Sequence, residues 1–231
     1  MIVALNNKSN KTQEEFKEYI TEISNIQTNE TLIVCPTFLN IPFVPENILL
    51  GSQNVSKFVE GAYTGEISAR QLKSYNVKYA IVGHSERREY QKETNKDIQE
   101  KITRLKEENM IPILCIGETL EERQNQEFKR ILQEELEIAT EGLTEEEKQE
   151  LIIAYEPIWS IGTGIIPSKE QIEEVFEFIK KDFPKTPVLY GGSANEENIE
   201  MLREISLIDG YLLGGLSLKP EKLKIFLEKL K

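Results

Sequence analysis

Short apolar runs recur along the chain at even distances. They are IVALN (2–6), TLIVCP (31–36), QNVS (53–56), YAIVG (79–83), IPILCIG (111–117), LIIAYEP (151–157), PVLYGG (187–192) and IDGYLLGG (208–215). Most are β-branched, apolar at consecutive positions, and closed by Gly, Pro, Asn or Cys-Pro. Alternation marks a strand with one wet face, whereas an unbroken run suits a strand buried on both. The pattern therefore predicts eight fully buried strands.

Between the runs the hydrophobic period becomes helical. Thr12-Gln13-Glu14-Glu15 has the form of a capping box, in which the Thr hydroxyl and the Glu15 carboxylate each satisfy an orphan backbone donor. Phe16, Tyr19, Ile20 and Ile23 then repeat at helical spacing. Thr94 to Asp97 opens another helix carrying Ile98, Ile102 and Leu105, and Ser168-Lys169-Glu170-Gln171 is a second box ahead of Ile172, Val175, Phe176 and Ile179. Asn195 precedes a short helix, and Pro220 stands early in the last one. The Glu/Lys-rich stretch 119–150 reads as one long helix, a break at Gly142 and a short second helix, its charge runs forming a solvated face.

Strands alternating with helices imply a parallel sheet. Dividing 231 residues by eight gives about 29 per unit, close to the ~30 of a βαβ element. Eight units favour a closed (β/α)8 barrel over an open doubly wound sheet, and no GxGxxG fingerprint follows the first strand. No linker, low-complexity tract or strong repeat divides the chain, so residues 1–231 are expected to form a single α/β domain.

Charge narrows the partners. Lys and Arg number 28 against 40 Asp and Glu, a formal net charge of −12. A nucleic acid would meet net repulsion, with no basic block to offset it. A small anion remains a suitable ligand where helix ends, backbone N–H groups and one lysine create a local positive potential. No apolar run approaches the ~18 residues of a membrane helix, and MIVALN lacks the basic n-region and cleavage site of a signal peptide. A cytoplasmic protein is expected. Cys35 and Cys115 lie inside apolar runs and read as reduced core thiols, with a redox-sensitive or site-lining role as the alternative.

In such a barrel the chemistry sits at the carboxyl ends of the strands. Those ends offer Asn6-Asn7-Lys8, Gly83-His84-Ser85-Glu86, Tyr155-Glu156-Pro157, Tyr190-Gly191-Gly192-Ser193 and Gly214-Gly215. Glycine turns after the last two strands suit an anion, because backbone N–H groups approach closely where no Cβ intervenes. Glu156 follows five apolar residues, and desolvation there is expected to raise its pKa and strengthen it as a base. Taken singly, Glu156 reads equally well as an ion-pair partner, Lys8 as a rim amine, His84 (the only histidine) as a structural hydrogen-bonding residue, and each Gly-Gly as a tight turn. The segment PIWSIGTGIIPSKEQ adds a stiff-ended, glycine-tipped loop beside Glu156, the composition of a lid that excludes water.

Eight motifs in order, spanning nearly the whole chain, resemble the triosephosphate isomerase family. They are NNK (6–8), QNV (53–55), GAYTGEISA (61–69), YAIVGHSERR (79–88), LCIGETLEER (114–123), AYEPIWSIGTG (154–164), YGGS (190–193) and IDGYLLGGLSLKP (208–220). The resemblance implies a TIM barrel that interconverts dihydroxyacetone phosphate and glyceraldehyde 3-phosphate without a cofactor or metal. It implies Glu156 as catalytic base, His84 as electrophile and proton shuttle, Lys8 as the stabiliser of enediolate charge, Asn6 as a substrate contact and Glu86 as the carboxylate near Lys8. Backbone N–H groups of Gly162, Ser193, Gly214 and Gly215 would hold the phosphate. The loop from Pro157 to about Pro167 would close over the site, with Trp159 re-packing and Glu118 its partner. The loop from Gly61 to Glu66, with Thr64 near its tip, would cross into a second subunit of a homodimer.

Some positions depart from the family's pattern. Asn7 stands where an aromatic is usual and Ser9 where Met is usual, and Ile165-Ile166-Pro167 replaces Lys-Thr-Ala at the far hinge of the lid. The helix over 169–183 is short for the family. Two other readings are a metal-dependent phosphosugar isomerase or epimerase, disfavoured by the single histidine, and a non-catalytic phosphate-binding descendant, disfavoured by intact Lys8, His84 and Glu156.

Overall fold

The unbroken apolar runs become the staves of a closed parallel barrel in a computed structural model, which describes residues 1–161, 163 and 165–230. The strands are β1 (Ile2–Asn6), β2 (Thr31–Cys35), β3 (Leu49–Ser52), β4 (Tyr79–Val82), β5 (Ile111–Ile116), β6 (Ile152–Tyr155), β7 (Val188–Tyr190) and β8 (Gly210–Leu213). Each pairs in parallel with its sequence neighbour, and β1 closes on β8 from Ile2↔Gly210 to Leu5↔Leu213. Side chains alternate between two cores. Ala4, Ile33, Cys35, Ile81, Ile113, Cys115, Ala154, Leu189 and Leu212 fill the barrel interior. Their neighbours in each strand, such as Leu5, Val34, Val82, Leu114, Ile153 and Tyr190, pack outward against the helices. Strands buried on both faces require apolar residues at every position, which is why the runs do not alternate.

The helices start where the capping boxes lie. Thr12, Thr94 and Ser168 each accept a hydrogen bond from the N3 backbone while the N3 side chain accepts one from the cap. Their apolar stripes, including Phe16, Ile98 and Phe176, are fully buried against the sheet. Both cysteines are buried and unpaired, and burial pushes the Cys35 thiol up to about 12. Among the described residues no helix is long and apolar enough to cross a membrane.

Two sequence expectations are corrected. The third strand is Leu49–Ser52, not 53–56. Leu-Leu-Gly-Ser is short and lacks β-branched residues, whereas the β-branched Val55, also buried, lies just downstream of it. The stretch 119–150 forms three helices, Leu120–Gln124, Phe128–Ala139 and Glu145–Gln149. The unforeseen break is at Gln126, whose φ of 59° is left-handed and cannot continue a helix.

Candidate active site

The carboxyl ends of the strands bring the polar residues together. Asn6 ends β1, and its side-chain oxygen accepts the Lys8 N–H at 3.0 Å, turning the chain so that Lys8 adopts a left-handed φ of 49°. Gln53, just past β3, donates to the carbonyls of Lys8 and Cys35 at 2.8 and 2.9 Å. With the backbone fastened from both sides, the Lys8 ammonium meets Glu86 Oε1 at 2.6 Å.

At the end of β4, Gly83 takes a φ of 71°, a conformation open to glycine, and launches the helix Ser85–Gln91. His84 caps that helix, its Nδ1 accepting the Glu86 N–H at 3.2 Å. Its Nε2 lies 2.9 Å from Oε1 of Glu156, while Oε2 accepts the Ser85 N–H at 3.0 Å. His84 is 5% exposed and Glu156 2% exposed, so the pair interacts almost without water.

The electrostatics of Glu156 differ from the sequence expectation. Burial alone pushes the carboxyl up, but the His84 ring, the Ser85 N–H and the Lys8 ammonium together hold it below the usual glutamate range. Opposing effects act on His84. Burial disfavours the imidazolium, Glu156 favours it strongly enough to raise the ring's pKa, and the Glu86 N–H requires Nδ1 to be unprotonated. An Nδ1 that accepts a hydrogen bond carries no proton. The ring is then the neutral Nε2–H tautomer donating to Glu156.

Asn6, Lys8, His84 and Glu156 line one cavity of about 420 Å³ together with Gly191, Gly192, Ser193, Gly214 and Gly215. Glu86 lines an adjoining hollow with Phe38, Gln53 and Tyr90, which shares Asn6, Lys8 and His84 with the main cavity. Gly162 lies outside the described residues. Among the described residues, no group of three or more His, Cys, Asp or Glu side chains is arranged to hold a metal ion.

Comparison with known families matches residues 1–230 to the family Triosephosphate isomerase. The chain belongs to the triosephosphate isomerase family. It is 42% identical over 230 residues to a triosephosphate isomerase of Mesomycoplasma hyorhinis, covering 94% of this chain and 93% of that protein. It is 39% identical over 236 residues to one from Clostridium botulinum (strain Langeland / NCTC 10281 / Type F), covering 95% of each chain. A triosephosphate isomerase of Francisella tularensis subsp. mediasiatica is 35% identical over 233 residues, covering 94% of this chain and 92% of that one.

Behind the cavity of this triosephosphate isomerase barrel is a second layer. Arg88 donates to the carbonyls of Gly83 at 2.8 Å and Cys115 at 3.2 Å, and pairs with Glu135 at 3.2 Å. Glu135 also accepts the Gly117 N–H at 2.9 Å. These bonds fix the strand ends next to His84 and Glu156. On the lid side, Trp159 and Tyr155 both donate to Glu118 Oε1, at 3.1 and 3.0 Å. Glu118 is fully buried, and desolvation raises its pKa despite those donors and Arg123.

Gln53, Arg88, Glu135 and Ser160 were not singled out from sequence. For Glu135 a signal was present: Phe128, Leu132, Glu135, Leu136 and Ala139 share one helical face, which places the carboxylate among apolar neighbours. Ser160 and Gln53 have no such signal because their partners lie far along the chain, and Arg88 joins the nearby Gly83 carbonyl to the distant Cys115 carbonyl and Glu135 only in the folded barrel.

Proposed function

We propose that this chain is a cofactor-independent aldose–ketose isomerase. It interconverts dihydroxyacetone phosphate and D-glyceraldehyde 3-phosphate, a step of glycolysis and gluconeogenesis, by proton transfer through an enediol(ate). The observation that carries the reading is the convergence of one carboxylate, one neutral imidazole and one ammonium on a cavity also lined by two glycine-rich turns. Proton transfer between adjacent carbons needs a base, a group able to donate to one oxygen and accept from the other, and positive charge for the oxyanion.

Glu156 is the base. A substrate carbon entering between Glu156 and His84 breaks their 2.9 Å contact. The carboxylate then loses the partner that holds its pKa down, burial takes over, and its basicity rises where the proton is removed. His84 turns its Nε2–H to the substrate oxygens, Lys8 supplies the charge opposite the enediolate, and Asn6 both contacts substrate and fixes the Lys8 turn. Glu86 orients Lys8. Backbone N–H groups of Ser193, Gly214, Gly215 and Gly162 receive the phosphate.

A coupled isomerase assay of Glu156→Gln tests this. We expect kcat to fall by ~10³ or more, at the upper part of the range for a lost general base, with phosphate still inhibiting competitively. Full turnover in the variant refutes the assignment.

The same reading makes the protein a cytoplasmic homodimer. Two buried, unpaired thiols suit a reducing compartment. The loop Gly61–Glu66 is exposed throughout, with Tyr63 stacked on Phe58 at 3.9 Å between ring centroids. Leu39, Val59 and Tyr90 are 85%, 59% and 69% exposed, large apolar groups that a second copy would cover. Sedimentation at micromolar concentration should give twice the monomer mass, and a monomer would refute the pairing.

A further inference from the structure

Ser160 ends the turn of 3-10 helix Ile158–Ser160 that follows Glu156-Pro157, and it is fully buried. Its hydroxyl accepts the Ser193 N–H at 3.3 Å, and its carbonyl accepts the Ser193 hydroxyl at 2.6 Å. Ser193 belongs to the cavity wall. A backbone donor assigned above to phosphate is therefore held by a side chain of the protein.

A second observation lies next to it. The Tyr190 hydroxyl is buried and makes no well-aligned hydrogen bond. It abuts the same loop, since a Cβ on Gly192 would stand 2.3 Å from it. Ser160 is its neighbour: burial pushes the phenol up to about 12, with the Ser160 hydroxyl pulling against that rise. Buried hydroxyls are rarely left unpaired, so an orphan beside a hydroxyl that rotates about one bond marks an alternative arrangement.

We infer that the Ser160 hydroxyl competes with the substrate phosphate for the Ser193 N–H, and on yielding that donor turns to the unpartnered Tyr190 hydroxyl. Ser160 is thus a positioning residue of the anion cradle. It keeps the Ser193 donor oriented by a hydrogen bond of the kind a phosphate oxygen will make, and Tyr190 limits the cost of giving that bond up. The inference rests on the phosphate reading of the cavity proposed above.

A double-mutant cycle with inorganic phosphate as competitive inhibitor tests it. Tyr190→Phe removes the fallback partner, so Ser160 should hold Ser193 more firmly and the Ki for phosphate should rise about threefold to tenfold, the worth of one neutral hydrogen bond. KM should rise in the same ratio with kcat nearly unchanged. In the Ser160→Ala background the Tyr190→Phe change should alter Ki by less than about twofold, because no competitor remains. An equal Tyr190→Phe effect in both backgrounds overturns the inference while leaving the cavity as the phosphate site. Failure of phosphate to compete with triose phosphate in the unaltered protein instead overturns the functional reading. Tyr190→Phe deletes only an unpartnered hydroxyl, and thermal melting of all four proteins verifies that they fold alike.

Discussion

Glu135 sits beneath the site with its carboxyl buried. Burial is the largest influence and moves it from 4.5 to about 7, with Arg88 and the Gly117 N–H pulling back and Glu122 and Glu156 pushing further. Glu135→Gln keeps the size of the side chain and an acceptor for the Gly117 N–H but removes the titration. Below pH 4.5 the carboxyl is protonated in folded and unfolded chains alike, so the wild type incurs no ionisation penalty there. As pH rises towards 7, the unfolded chain releases the proton and the folded chain retains it. A folded state that binds more protons loses stability with rising pH, and the loss is complete above the folded pKa. Moving a carboxyl from 4.5 to about 7 corresponds to about 3 kcal/mol. The attraction of Arg88 for the ionised carboxylate is already contained in the folded pKa of about 7, so it needs no separate correction to the slope. Urea unfolding of both proteins, at one protein concentration and from about pH 4 to about pH 8.5, reads the difference directly. The Gln variant should gain on the wild type by about 2–3 kcal/mol across this window and then hold level. Parallel stability profiles would refute the reasoning, since they would mean that Glu135 titrates in the fold as it does in the unfolded chain.

Two further outcomes follow from the lid and the anion turn. Trp159 is the only tryptophan, and its indole N–H bonds the fully buried Glu118, so 2-phosphoglycolate should shift its emission as the loop re-packs. An unchanged spectrum at inhibitory concentration would detach that bond from any lid motion. Gly192→Ala should weaken phosphate inhibition and lower stability by about 1–3 kcal/mol, because its Cβ would stand 2.3 and 2.5 Å from the Tyr190 hydroxyl and ring carbon, neither of which can move freely. Unaltered melting and phosphate Ki would show that the turn yields instead.

Local physics made much of this protein legible along the chain. Strands buried on both faces need unbroken apolar runs, helix starts need capping side chains, and chemistry at the strand ends leaves polar residues where each run stops. That is why Asn6, Lys8, His84 and Glu156 stood out in the sequence and then met in one cavity. The fold departs from the sequence pattern where the local signal is weak or points elsewhere. Leu49–Ser52 is a strand because its neighbours β2 and β4 supply the hydrogen bonds, although Gly and Ser are poor strand formers. Tertiary structure alone decided the protonation balance. The sequence placed Glu156 beside the core and so predicted a raised pKa, but the His84 ring and the Ser85 N–H, 72 and 71 residues away, reverse the sign. The same holds for Ser160 on Ser193 and for Glu135 on Arg88 and Gly117. Hydrophobic period and capping depend on residues within a few positions of one another and are written in order along the chain. Charge interactions decay over ångströms in space, so their outcome exists only once the barrel has brought distant strand ends together.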